Sequence, residues 1–285
     1  MSMVDALLAV AASDRAAAVE AVAAAAVAAP GDRLPAALLR YLRADADGDV
    51  YRSPDALTRF IDGGSNRALY AALHTALRAR YEQMAPGSLL DLGCGDGRVV
   101  VAVVGSGLRR IDLVEPSAAL LDLAVAALAG GPAVVAGHAV TAAAFLAGLG
   151  ADDHWDVVQS TFALHTLAAA DRAAVLRALV ARADRVLIAE FDVPSFDDRR
   201  DEHAAYAVDR YEQGLREYDG DEVVAQGFLM PVLVGQFDPG TVRHTHEQSA
   251  ATWVDELRDA GFGTVTVHPL YPYWWADAVL LEATR

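Results

Sequence analysis

Alanine and leucine recur at helical spacing through the first part of the chain, and short unbroken apolar runs take over after Ser88. Alanine is the best helix former, and Ser13 ahead of Asp14, Arg15 and Ala16 has the form of an N-cap. Residues 14–29 are therefore expected to form a helix that stops at Pro30 and Gly31. Residues 34–43 predict a second helix. After a polar turn at 44–49, helical patterns return at 53–61 and at 65–84, the latter with Leu69, Ala72, Leu73 and Leu77 on one side. Together these predict a helical cap or oligomerisation module over residues 1–84.

Beyond it, apolar runs alternate with Ala/Leu-rich helical stretches, the rhythm of a parallel sheet wrapped by helices. Strands are expected at 89–92, 110–114, 133–136, 156–159, 186–190, 264–268 and 276–282. Only Pro269-Leu270-Tyr271-Pro272-Tyr273-Trp274-Trp275 joins the last two, too short a link for a helical crossover, so they are expected to pair as an antiparallel hairpin. The predicted fold class is α/β, with a seven-stranded Rossmann-like domain over 85–285 following the helical module. A long insertion at 194–247, expected to form a substrate lid, interrupts that domain.

Composition narrows the function. The 285 residues are 54% hydrophobic, enough for a substantial core. A formal charge of −16 opposes binding to a phosphate backbone, so nucleic acid is not an expected partner. The single cysteine, Cys94, excludes an intramolecular disulfide and suits a reducing cytoplasm. Residues 1–10 carry Asp5 and no basic residue, unlike a signal peptide, and the Ala-rich run at 21–29 is too short to span a bilayer. A cytoplasmic protein with no membrane partner is expected, and an apolar face on the 14–29 helix suits a homo-oligomer.

The chemistry concentrates after the first predicted strand. Leu89-Leu90-Asp91-Leu92 leads into Gly93-Cys94-Gly95-Asp96-Gly97, where missing side chains let backbone approach a ligand at the edge on which open α/β sheets bind. The spacing is G-x-G-x-G, with Arg98 where a dinucleotide fingerprint needs its third glycine. Asp91 and Asp96 repel a pyrophosphate and suit a cationic ligand.

Asp91-Leu92-Gly93-Cys94-Gly95-Asp96-Gly97 resembles motif I of the class I S-adenosylmethionine (SAM) dependent methyltransferases, and the resemblance extends over 88–285. It implies SAM as cofactor, with Asp91, Gly93, Gly95 and Asp96 beside it. It further implies that Glu115, at the end of the second strand and next to Pro116, clamps the ribose hydroxyls. Gly137 and His138 follow the third strand, where the family usually has an acidic residue at the adenine; a neutral His can stack or accept a hydrogen bond there. Trp155-Asp156-Val157-Val158-Gln159-Ser160-Thr161-Phe162-Ala163-Leu164-His165 resembles the fourth strand and its loop, which implies Ser160 near the methionine end and Phe162 and His165 near the methyl.

Methyl transfer from a sulfonium relies on positioning and exclusion of water, and a base is needed only if the nucleophile must lose a proton. His165 is the first candidate base, with Tyr211 of the insertion the second. Glu190 and Asp192 either orient a polar substrate or cap the next segment. Tyr206, Tyr218 and Phe228 of the insertion are candidates for an aromatic substrate site or for core packing. His244 and His246 lack further ligands at a telling spacing, so no catalytic metal is expected.

The Asn/Asp-Pro-Pro-Tyr signature of DNA and amide N-methyltransferases is absent after the fourth strand, which leaves a small-molecule substrate. The layout is similar to actinobacterial tailoring methyltransferases of secondary metabolism, and the aromatic insertion with Tyr271–Trp275 is similar to enzymes that methylate an indole carbon of tryptophan-derived cyclic dipeptides. O- or N-methylation of another metabolite stays open, as does a SAM-binding regulator without turnover. A nicotinamide oxidoreductase is disfavoured by the glycine spacing and the two aspartates.

Overall fold

The computed structural model describes residues 1–44, 54–105, 107–241, 243 and 245–285, the side chain of Pro54 excepted. In chain order the helices are α1 (Met3–Ala11), α2 (Arg15–Ala28), α3 (Arg33–Arg43), α4 (Pro54–Asp62), α5 (Asn66–Met84), α6 (Arg98–Val103), α7 (Ala118–Leu128), α8 (Ala142–Ala147), α9 (Ala169–Val180), α10 (Asp201–Glu217), α11 (Glu222–Val224), α12 (Met230–Phe237) and α13 (Ala250–Ala260). The strands are β1 (Ser88–Leu92), β2 (Arg110–Val114), β3 (Val134–His138), β4 (Trp155–Thr161), β5 (Ala183–Phe191), β6 (Thr264–Tyr271) and β7 (Ala278–Thr284). Of the predicted polar turn at 44–49, residues 45–49 lie outside the described residues.

The chain forms two compact units. The helical one joins Met1–Arg67 to Pro194–Thr245 and Tyr273–Trp275, so the insertion groups with the N-terminal helices. Glu212 and Glu217 of α10 explain why. Glu212 accepts from the backbone N–H groups of Arg33 and Leu34 at 2.8 and 2.7 Å, capping α3, whose own Asp32 makes no side-chain cap. Glu217 accepts from the backbone N–H and hydroxyl of Ser65 at 2.9 and 2.6 Å, at the start of α5.

Two local expectations change. The α2 cap is Asp14, which accepts from Ala17 N–H at 2.9 Å, because Ser13 takes a left-handed turn conformation (φ 59°) that closes off α1. The apolar face of α2, formed by Ala18, Ala21, Val22 and Ala25, is buried within the unit, where α2 packs on α1 and α3.

The second unit holds the sheet, in the order β3-β2-β1-β4-β5-β7-β6. β1 to β5 run parallel and β7 lies antiparallel between β5 and β6, which makes the predicted hairpin. Parallel strands covered on both faces are mostly apolar, as Leu89, Leu90 and Leu92 are, and the buried Asp91 among them is an exception that the site uses. Leu73, Leu77 and Tyr81 of α5 pack with Val100 and Leu113 in one core, and Val175 and Leu176 of α9 pack with Trp253 and Leu257 of α13 in another. From Ala68 onward α5 therefore belongs to the sheet unit, and the helical unit stops at Arg67, short of the expected limit at 84.

Candidate active site

The loop after β1 bends on three left-handed glycines, Gly93 (φ 74°), Gly95 (φ 56°) and Gly97 (φ 79°). Their surroundings differ. A Cβ on Gly93 would meet the Ala163 Cβ at 2.5 Å, and one on Gly97 would meet Ala124 of α7 at 2.8 Å. One on Gly95 would meet nothing within 4 Å. Gly93 and Gly97 thus allow close packing of the protein on itself, whereas Gly95 borders the open side of the loop.

Asp91 is 1% exposed, and its Oδ2 accepts from Gln159 Nε2 at 2.8 Å. Its Oδ1 is buried without a hydrogen-bond partner. Burial raises the Asp91 pKa to about 7; the Gln159 hydrogen bond works against this and the nearby Glu115 adds to it. Asp96 is already paired, since its carboxylate takes the Arg98 guanidinium at 2.7 to 3.1 Å. Burial pushes its pKa up, but the hydrogen bonds from Arg98 prevail and it falls below the usual value. Of the two aspartates, Asp91 is the one left with an oxygen that has no partner.

Glu115 at the end of β2 accepts from Gly95 N–H at 3.1 Å and Ser117 N–H at 2.9 Å, which ties the β2 end to the glycine loop, with Pro116 exposed between. Gly137 in β3 backs onto Val125 of α7. His138 Nε2 pairs with Asp112 Oδ1 at 3.0 Å, and Asp112 also takes the Trp155 indole N–H at 2.7 Å. Ser160 is buried and donates to the Leu92 carbonyl at 2.8 Å, fastening β4 to β1.

Phe162, just after β4, has φ 51°, a strained conformation for a residue with a side chain. It is held there by its N–H to the Ala189 carbonyl at 2.8 Å and by stacking on Phe191 at 4.8 Å. His165 follows in a short 3-10 turn. Its Nδ1 pairs with Glu190 Oε2 at 2.8 Å and its backbone N–H donates to Glu190 Oε1 at 3.1 Å. Burial lowers the His165 pKa, but the charge and hydrogen bond of Glu190 and the charge of Glu247 outweigh it and raise it to about 9. At neutral pH His165 is an imidazolium, which donates protons rather than accepting them. Asp192 caps instead: it accepts from Ala250 N–H at 2.6 Å at the start of α13.

The aromatic candidates of the insertion belong to the helical unit. Tyr211 is buried, with Trp274 and Trp275 edge-on to its ring at 5.7 and 5.5 Å. Tyr206 donates to the Trp275 carbonyl. Tyr218 is buried, donates to the Phe60 carbonyl at 2.7 Å and accepts from Asn66 at 2.8 Å, while Phe228 stacks on Phe60 at 4.1 Å. These contacts give all four a packing role within their unit.

Sequence reasoning did not single out four residues that organise the site. Tyr81 and Gln159 support Asp91, Asp112 holds His138, and Arg172 fastens the strand-end loops. An aspartate in β2 flanked by apolar residues and an arginine in α9 were the available signals, since buried charges demand partners. Among the described residues no group of three or more His, Cys, Asp or Glu is set to hold a metal; His244 lies outside them. Likewise, no helix among them is long and apolar enough to cross a membrane.

The family model described as a methyltransferase domain matches residues 89–184, the span from the glycine loop through His165 to α9. With the strand order above, it gives the chain a methyltransferase domain with the fold of the SAM-dependent enzymes. No curated protein matches the sequence. Among solved structures, similarity extends to a protein of Nostoc punctiforme proposed to be an O-methyltransferase (17% identity, TM-score 0.51), covering 90% of this chain and 62% of that one. It extends also to the magnesium protoporphyrin IX methyltransferase of Synechocystis with bound SAM (15% identity, TM-score 0.52), covering 85% and 99%. A third, from Bordetella parapertussis and described as a possible exported protein, aligns at 14% identity and TM-score 0.56 over 96% of each chain. At these identities the likeness is one of fold. The chain spans less than two thirds of the Nostoc protein it matches.

The glycine loop fits SAM on its own chemistry. Gly95 leaves the loop open, and the bare buried oxygen of Asp91 calls for a cation, which the ammonium of a methionine group supplies.

Proposed function

We propose that the protein transfers the methyl group of SAM to an oxygen or nitrogen of a small aromatic metabolite in cytoplasmic secondary metabolism. The observation that carries the choice of atom is the His165–Glu190 pair at 2.8 Å beside the end of β4. An imidazolium held by a carboxylate stabilises an oxyanion, and a phenol ionises readily enough to use it. An indole N–H is a far weaker acid and demands a strong base, which a protonated His165 is not. The indole-carbon reading is therefore the second choice.

When bound, SAM supplies an activated methyl on sulfur. The chain's own residues do the rest. Asp91 would hold the ammonium, Glu115 the ribose hydroxyls and His138 the adenine. A phenol that has given its proton to bulk water is held in its anionic form by His165, with Glu190 fixing the ring. Phe162 covers the site against water. The single Cys94 supports a reducing compartment.

Incubation with SAM and a panel of phenols, aromatic amines and indoles, read by mass spectrometry, tests this. Methylated phenols or amines that vanish with His165→Ala support the reading. Methylation confined to indole carbon favours the second choice, and SAM binding without product on any panel member leaves the regulator.

A further inference from the structure

Tyr81, Gln159 and Asp91 form one buried polar chain across three elements of the sheet unit. The Tyr81 hydroxyl on α5 donates to Gln159 Oε1 on β4 at 2.6 Å, and Gln159 Nε2 donates to Asp91 Oδ2 on β1 at 2.8 Å. The Asp91 carboxylate only accepts, so it takes the amide nitrogen of Gln159, and the Tyr81 hydroxyl, which can donate or accept, holds that orientation by donating to the amide oxygen. Asp91 is thereby held by one oxygen, with Oδ1 left buried and without a partner.

Three polar side chains in the middle of a sheet core do little for folding that apolar residues of the same shape would not do as well. Leaving one carboxylate oxygen unsatisfied makes matters worse by the cost of its desolvation. Such a chain is useful if a ligand completes it. Glu115, just after β2, acts on Asp91 by like charge and strengthens the demand for a positive charge. Cys94, close by on the loop, is neutral, since burial pushes its thiol pKa up.

We propose that Tyr81 and Gln159 are positioning residues that hold Asp91 as the acceptor for the ammonium of the SAM methionine group, making the amino-acid end of the cofactor the part this chain reads. The inference rests on the SAM reading of the glycine loop. It assigns the two residues to ligand discrimination, and it separates them from Glu115 and His138, which serve the adenosine end.

The test is calorimetric titration of the whole chain with S-adenosylhomocysteine and with 5′-methylthioadenosine, which keeps the adenosine and the sulfur and lacks the amino acid. Gln159→Leu is expected to weaken S-adenosylhomocysteine binding about ten-fold, the effect of one hydrogen bond to a charged group, and Tyr81→Phe about five-fold, the effect of one to a neutral amide. Both are expected to leave 5′-methylthioadenosine binding unchanged, which also reports a folded pocket. Tyr81→Phe keeps the ring and its packing, so it carries the test if Gln159→Leu does not fold. Equal weakening for both ligands, or none for either, overturns the assignment while the SAM reading stands. Failure of the unaltered protein to bind S-adenosylhomocysteine overturns both.

Discussion

His165 Nδ1 lies 2.8 Å from Glu190 Oε2, and the backbone N–H of the same histidine reaches the other oxygen of that carboxylate. Two contacts to one buried group fix both the ring and the turn that carries it. The pairing raises the His165 pKa from 6.5 to about 9, so its contribution to stability is complete below pH 6.5 and is lost as pH rises through 9. An NMR titration should place the His165 midpoint near 9, and Glu190→Gln should bring it below 6.5, because burial then acts with less opposition. A midpoint near 6.5 in the unaltered protein would show that the pair does not form.

Arg172 is buried on α9 and uses its guanidinium in four directions: to Glu256 at 2.8 and 2.9 Å, to Gln248 at 2.6 Å, and to the Leu167 and His246 carbonyls. His246 in turn donates its N–H to the His165 carbonyl at 2.6 Å. Arg172→Met strands Glu256 and frees both loops, so a loss of about 3–5 kcal/mol is expected in denaturant unfolding. Arg172→Lys should recover little of it, since a point charge cannot replace the planar fork.

The three loop glycines should separate stability from binding. Gly93→Ala and Gly97→Ala drive a Cβ into Ala163 and Ala124 and should cost about 1–3 kcal/mol by overpacking, above the backbone strain of a left-handed position. Gly95→Ala has room and should cost about 1 kcal/mol. Gly95→Asp should remain folded and lose SAM binding. Thermal melts alongside calorimetry distinguish the three, and equal destabilisation would contradict the surroundings described for each.

Glu212 caps a helix that is distant in sequence. Glu212→Ala leaves the Arg33 and Leu34 N–H groups without it and should lower stability by about 1–2 kcal/mol. Glu212→Gln should recover part of that loss, since an amide oxygen still accepts. Denaturant unfolding midpoints of the two variants make the comparison.

How much of this was legible in the sequence follows from the range of the interactions. Buried parallel strands announce themselves as apolar runs, and the glycine loop is contiguous, so the sheet, its hairpin and the cofactor loop could be read directly. The grouping of the insertion with the N-terminal helices could not: it depends on contacts such as Glu212 to Leu34, 178 positions apart. His165 and Glu190 were each visible as candidates, but their pairing requires the β4–β5 register that sets Thr161 beside Ala189. Tyr81 continues the apolar side of α5 and reads there as one more core residue; only Gln159 opposite gives its hydroxyl a task.

The central claim is that the glycine loop binds SAM and not a dinucleotide. Calorimetric titration of the unaltered protein with SAM and, separately, with NAD tests it most directly. Saturable one-to-one binding of SAM with no heat from NAD is the predicted result, and binding of NAD with none of SAM would contradict the account.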